Sequence, residues 1–169
     1  PDKSLSLTSD IDLHGTCLDD IAGEINISNA SLKSTGADTI LVGPYNLSIN
    51  TSIDSKNRNL YINSNFINAY AIGEYKFSTL LATLQNHLHQ ELPNIISRKT
   101  IKAADKLSFS INVQDTTFLR QIVLKNITIP EEAIIKGNIY GCDSLRISAH
   151  IPHLHFNKEY FRNSSLNIH

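Results

Sequence analysis

The chain has 169 residues, of which 41% are hydrophobic, 18% charged and 7% aromatic, with no Trp and a net charge of -1. This balance excludes a disordered chain, offers no basic footprint for nucleic acid, and leaves Ile and Leu to supply most of any core. No apolar run approaches the roughly 18–20 residues of a membrane-spanning helix, and no signal peptide is recognisable.

The length suits one ordinary domain or a slice of a longer array. The chain opens at Pro1 without Met and stops at Ile168-His169 in a strand-like run, so a fragment of a larger protein is expected. Period-two alternation dominates and predicts strands. Leu5, Leu7, Ile11 and Leu13 form one apolar set ending at Gly15. Ile21, Ile25 and Ile27 form the next, with Glu24, Asn26 and Ser28 opposite. The turn signal Gly43-Pro44 precedes Tyr45, Leu47, Ile49, Thr51 and Ile53, and the polar loop at 54–59 leads into Leu60 and Ile62. The short polar connections favour an antiparallel meander.

In "NLYINSNFINAYAIGEYKF" (59–77) the apolar parity changes at Phe66-Ile67. We expect a bulge or bend within 64–68, a device that curls a sheet, and a close backbone approach or further kink at Gly73. Residues 77–92 switch to helical spacing: Phe77, Leu80, Leu81, Leu84, Leu88 and Leu92 make one apolar stripe that Pro93 ends. His87 and His89 are assigned to the solvent side of this helix. After the polar linker "SRKTIKAADK", alternation resumes at Leu107, Phe109, Ile111 and Val113. Further strands are predicted at 122–129, 134–140, 144–151 and 153–157, with Pro130 and Pro152 as edge or bend markers. "SLRISAHIPHLHF" (144–156) echoes 59–71, which hints at a repeated two-strand unit. The reading divides the chain into a first β unit (1–76), a helix and linker (77–97) and a second β unit (98–169). The expected class is mainly β: a curled antiparallel meander, taco-like or an open sandwich, with one amphipathic helix.

Few residues point to chemistry. His150, His153 and His155 are the metal candidates, but no Cys, Asp or Glu lies nearby in sequence, and the polar face of an exposed strand explains them as well. Asp10, Asp12, Asp19 and Asp20 lack EF-hand spacing, and turn capping is the expected role of Asp19 and Asp20. Cys17 and Cys142 follow Gly15 and Gly141 in turn-like settings, and their pairing is left open. The Asn-x-Ser/Thr sites arise from Ile alternating with Asn and Ser, so they are not taken as glycosylation signals. No nucleophile elbow, phosphate loop, dinucleotide fingerprint or H-E-x-x-H occurs, so no catalytic residue, cofactor or enzyme activity is expected. What remains is physical: many strands with one Ile/Leu face, and a single helix able to cover part of it. Either two sheets close on each other, or an apolar groove stays partly open and binds something apolar.

The runs "IDLHGTCLDDIAGEINISNASLK" (11–33) and "LYINSNFINAYAIGEYKFSTLLATLQNHLHQELP" (60–93) carry a resemblance. With their Leu-x-Gly-x-x-Leu-Asp-Asp-x-x-Gly opening, strand pair and helix ending in Leu-Pro, they resemble TamB-like proteins. This is the inner-membrane component of the translocation and assembly module, related to the AsmA-like group. "KGNIYGCDSLRISAHIP" fits the strands of a following repeat, so the resemblance spans nearly the whole chain. It implies a periplasmic segment of a parent protein anchored in the inner membrane. It further implies an apolar groove that conducts phospholipid, and a role in outer-membrane biogenesis and protein assembly. An outer-membrane barrel partner would be met through other parts of the full protein. The groove candidates are Ile25, Ile27, Leu47, Ile49, Leu60, Ile62, Leu107, Phe109, Ile111, Ile147 and Ile151. Phe77, Leu80, Leu81, Leu84 and Leu88 of the helix would cover the groove or complete a closed core. The alternative is a closed β-sandwich serving binding or adhesion at the cell surface, against which the lack of Trp counts mildly.

Overall fold

The computed structural model describes residues 2–35, 40–91, 94, 97–99, 105–114, 127–128, 132–141, 143–156 and 159–168. Ten strands form one antiparallel sheet: β1 (Asp2–His14), β2 (Ala22–Thr35), β3 (Ile40–Asp54), β4 (Asn57–Ser64), β5 (Ile67–Glu74), β6 (Lys106–Val113), β7 (Ile127–Thr128), β8 (Ala133–Tyr140), β9 (Ser144–Phe156) and β10 (Glu159–Ile168). Helix α1 (Phe77–Glu91) connects towards β6 after β5. The spatial order is β1-β2-β3-β4-β5-β6-β8-β9-β10, while the short β7 pairs with the far end of β9. The expected mainly-β meander with one helix is therefore the fold. The sheet is single and open, not closed into a barrel, and its strand contacts run between ladder neighbours.

Alternation gives the sheet two unlike faces because successive side chains point to opposite sides. The ladder aligns one apolar row across nine strands: Ile11, Ile25, Ile49, Ile62, Ala69, Ile111, Ile135, Ala149 and Leu166. The neighbouring row on the other face is Asp12, Glu24, Asn50, Tyr61, Tyr70, Ser110, Lys136, Ser148 and Asn167.

Of the bulge or bend expected within 64–68, the structure has the redirection of the chain and not a bulge within one strand. β4 ends at Ser64, β5 begins at Ile67, and Asn63 pairs with Asn68, so the chain reverses completely in a tight hairpin. The Ser64 hydroxyl closes it, donating to the Ile67 carbonyl at 2.7 Å and accepting from the Phe66 and Ile67 amides. Ile62 pairs with Ala69 and Leu60 with Ala71. A register joining even to odd positions keeps the same face of the sheet while parity in the sequence changes. The backbone irregularity falls inside 64–68, but it is a reversal between strands.

The bulges lie in the neighbouring strands β2 and β3: β2 has an extra residue between Ile27 and Ala30, and β3 has one between Val42 and Tyr45. In β2, apolar residues run Ile25, Ile27, then Ala30, Leu32, and Asn29 between them has φ +55°. Asn tolerates this left-handed conformation better than most residues, and an extra residue of this kind bends a strand and strengthens its twist. The ladder shifts register at the same level on both sides, between Ser6 and Thr8 of β1 and around Ala30 opposite β3. Amide groups that the bulge displaces find side-chain partners instead. Asn29 N donates to Asn46 Oδ1 and Asn46 N to Asn65 Oδ1, both at 3.1 Å, and Asn65 Nδ2 donates to the Pro44 carbonyl.

Two prolines expected to bound strands lie inside them. β3 runs through Gly43-Pro44 from Ile40 to Asp54. β9 runs through Pro152 without a change of face, since Ile151 pairs with Ser164 and His153 with Arg162 in one register. Pro152 fits because β8 pairs with β9 only up to His150 and β7 only from His155, so no described strand needs its missing N–H on that side.

Two apolar clusters sit at opposite ends of the apolar face. Tyr75, Leu107, Ile139 and Leu145 form one beneath α1, joined by Phe77, Leu80 and Leu84. Ala30, Tyr45 and Phe66 form the other at the bulged end, where the Tyr45 and Phe66 rings meet edge to face.

Candidate functional site: an apolar strip across the sheet

The helix is docked by its apolar residues Phe77, Leu80 and Leu84 and by polar groups at its ends. It has no acidic residue in its own first turn, so its free N–H groups are satisfied from elsewhere. Asp105, buried just before β6, accepts from Lys76 N and from the Thr79 hydroxyl at 3.0 Å, and also from the Thr83 hydroxyl. Asp19, in the β1–β2 turn, accepts from the Ser78 amide and hydroxyl. These two bonds hold the Asp19 carboxyl below its ordinary value, with nearby Lys76 and Arg58 adding to the effect. Asp20 caps its own turn through Thr16 and Cys17, and the Thr16 hydroxyl bond is the largest cause of its lowered pKa. The turn-capping role expected of both residues is that of Asp20, whereas the Asp19 carboxyl caps the helix instead. At the far end the His87 ring Nε2 lies 2.8 Å from the Gly141 carbonyl. His87 is buried, which overturns its assignment to the solvent side: the helix turns this face to the β8–β9 turn.

Arg58 fastens the same end of the sheet. On the apolar face of β4 and 2% exposed, its Nη1 donates to the Ile21 carbonyl at 2.8 Å and to Thr51 Oγ1, and its Nη2 to the Asp19 carbonyl. The guanidinium lies 4.5 Å from the centre of the Phe77 ring, while Nε has no partner. Burial pushes the neighbouring Tyr75 hydroxyl up to about 12. Gly73 is required in this packing: at φ +151°, a Cβ there would come within 2.1 Å of the Lys106 carbonyl oxygen. This bears out the close backbone approach expected of it.

Between the helix and the buried cluster at the bulged end, most of the strip is half-buried, with Ala149 in it fully buried. Ile25, Ile49, Ile62 and Ile111 stand in the nine-strand row, with Leu60, Phe109 and Ile147 in the row towards the helix and Ile27, Leu47 and Ile151 on the other side. The structure brings these ten groove candidates onto one face. Leu107 is different: 5% exposed, it belongs to the core under the helix. Of the helix residues, Phe77, Leu80 and Leu84 reach the sheet, whereas Leu81 is 66% exposed and points away. The stripe is thus narrower than the spacing implied. The Leu88 side chain and residue Leu92 lie outside the described residues.

The row also recruits residues that were not among the groove candidates: Ile11, Ala69, Ile135, Ala149 and Leu166. Only pairing could reveal them, because a row across a sheet depends on register. Nine strands about 4.8 Å apart make this strip about 38 Å long. One leaflet of a bilayer's hydrocarbon core is about 15 Å deep, so the strip exceeds an extended acyl chain. It contains no charged side chain, and Ile11 at its β1 end is 60% exposed.

The other candidates stay separate. His150 and His153 lie on opposite faces of β9, and the His153 ring stacks on Tyr160. The His155 side chain is outside the described residues, and no group of three or more potential metal ligands occurs among those described. Asp12 pairs loosely with His14 at 3.5 Å on the exposed face of β1. Cys17 is exposed, and Cys142 lies outside the described residues. No helix among the described residues is long and apolar enough to cross a membrane. Comparison of the chain with protein-family models, with curated proteins and with solved structures finds no match.

Proposed function

We propose that this protein is a TamB-like segment that holds and conducts phospholipid acyl chains along the transverse apolar strip. The supporting observation is the continuous, uncharged row from Ile11 to Leu166 on a sheet that, among the described residues, is neither closed nor faced by a second sheet. Apolar surface of this extent is costly in water unless something apolar covers it. Aliphatic walls without polar anchors let a chain slide, and a strip longer than one acyl chain suits a track better than a pocket. On this reading α1 closes one flank of the track, with its polar bonds at Asp19, Asp105 and Gly141 fixing its position. The segment would work in the periplasm as part of an inner-membrane-anchored parent protein, in outer-membrane biogenesis, alongside a barrel partner met elsewhere in that parent. The adhesion alternative loses the closed sandwich core it assumed, since the described strands form a single sheet.

The test places a photo-crosslinking amino acid at Ile49, Ile62 or Asn63 of the parent protein in cells. Phospholipid adducts at Ile49 and Ile62, absent from Asn63 on the opposite face, are expected. Absence of adducts at both isoleucines, or equal labelling at Asn63, overturns the proposal.

A further inference from the structure

The opposite face of the sheet has a composition that solvation alone does not require. Across β3, β4, β5 and β6, three successive rows contain only Asn, Ser, Tyr and Ile. Charged residues begin outside this block, with Glu24 on β2 and Lys136 and Arg146 on β8 and β9. An exposed strand face needs charges to remain soluble and to discourage association, yet here they are confined to the margins.

At the centre of the block Tyr61 and Tyr70 are directly paired across β4 and β5. They are 46% and 41% exposed, and neither takes part in a ring contact or hydrogen bond among the described residues. Asn50 lies beside Tyr61 on β3, and Asn63 follows two residues along β4. Both are exposed and without a hydrogen-bond partner among the described residues. Other amides here are already engaged: Asn68 accepts from Ser64 N, and Asn112 donates to Glu132.

We infer that this face is a second binding surface, for an extended neutral glycan lying across the strands on Tyr61 and Tyr70. Tyrosine presents an apolar ring with a polar tip, which matches a pyranose with its C–H face and rim of hydroxyls. Asn50 and Asn63 each offer two donors and an acceptor to such hydroxyls. Paired strands set the two side chains about 5 Å apart, close to the length of one sugar ring. The four-strand block selects a neutral occupant, having no charged side chain of its own. The nearest charges in the Tyr61–Tyr70 row, Glu24 and Lys136, lie one strand beyond it on either side with opposite sign, so neither a polyanion nor a polycation is matched. This surface is separate from the apolar strip and does not depend on lipid binding there.

The test is affinity electrophoresis of the full chain in gels containing a soluble mixed-linkage β-glucan, glycol chitin, galactomannan or alginate. Zwitterionic phosphatidylcholine vesicles are tested in a parallel flotation assay. Retardation by at least one neutral glycan is expected. Replacing both rings (Tyr61→Ala with Tyr70→Ala) should weaken it at least about tenfold. The double Phe variant, which keeps the rings, should stay within about threefold of the unaltered protein. Ile49→Ser, on the apolar face, should leave glycan binding unchanged whatever it does to lipid binding. Thermal melts show that the variants remain folded. Retardation by alginate alone, by no glycan, or undiminished in the folded double Ala variant overturns the inference, as does vesicle binding that depends on Tyr61 and Tyr70 without glycan binding.

Discussion

The end of the apolar face beneath α1 and the strip across its middle use the same residue types and reach different burial. Ile139, in the row beneath α1, is 1% exposed, whereas Ile62, two rows away on β4, is half-buried and Ile11 lies largely open. Intrinsic hydrophobicity does not separate them. The difference is the helix, and the helix is placed, besides its apolar residues, by a few polar contacts: Asp105 and Asp19 at its start, His87 near its end, and Arg58 beneath Phe77. Covering an apolar sheet thus depends here on satisfying helix-terminal N–H groups as much as on leucines.

The largest expected effect breaks the covered side directly. Ile139→Ala should cost about 3–4 kcal/mol in urea unfolding, because a fully packed site cannot collapse around the cavity, whereas Ile62→Ala should cost about 1 kcal/mol. Equal costs would mean that the strip is packed as tightly as the core. Next comes the latch. Asp105→Ala leaves the Thr83 hydroxyl and the Lys76 amide without their acceptor, and should destabilise the fold by about 2 kcal/mol. Hydrogen exchange should quicken in α1 while β1–β3 remain protected. Uniform acceleration throughout the sheet would show that the helix does not open independently.

Leu81→Ser should change stability by less than about 0.5 kcal/mol, since the side chain already faces solvent. A larger loss would place Leu81 against a partner. Acidification should give a graded response at the same end of the molecule. The folded Asp19 and Asp20 carboxyls lie below their ordinary 3.8. Their contributions are therefore complete above that value and are lost as pH falls through it towards the folded values. Hydrogen exchange should then show the start of α1 and the β1–β2 turn loosening below about pH 4, before the β8–β9 ladder does. Simultaneous loosening at both places would contradict the capping role.

Much of this architecture was legible from alternation alone. The strands around Ile25, Ile49, Ile62, Ile111 and Ile147, the helix from Phe77 and the antiparallel order all follow from period, turn residues and short connections. The errors have two separate causes. A change of parity has two meanings, a bulge within one strand or a hairpin between two, and the residues around it did not distinguish them. At Phe66-Ile67 it was a hairpin. In β2 a true bulge lay between Ile27 and Ala30, signalled by the same kind of slip and by an Asn able to adopt positive φ. His87 was misplaced because a polar residue within an amphipathic helix suggested solvent, whereas the Gly141 carbonyl was waiting for it across the fold.

By itself, then, the sequence determined which residues share a strand face, that one helix interrupts the strands, and that Ile and Leu supply the apolar surface. Those properties reside in spacing, and spacing is local. Tertiary structure decided the rest. It aligned Ile11 with Leu166 through eight ladders, set Tyr61 beside Tyr70, brought Asp19 to Ser78 and Asp105 to Thr83, and left the sheet open. Each of these depends on register or on groups distant in the chain, and no periodicity within a single strand records either one.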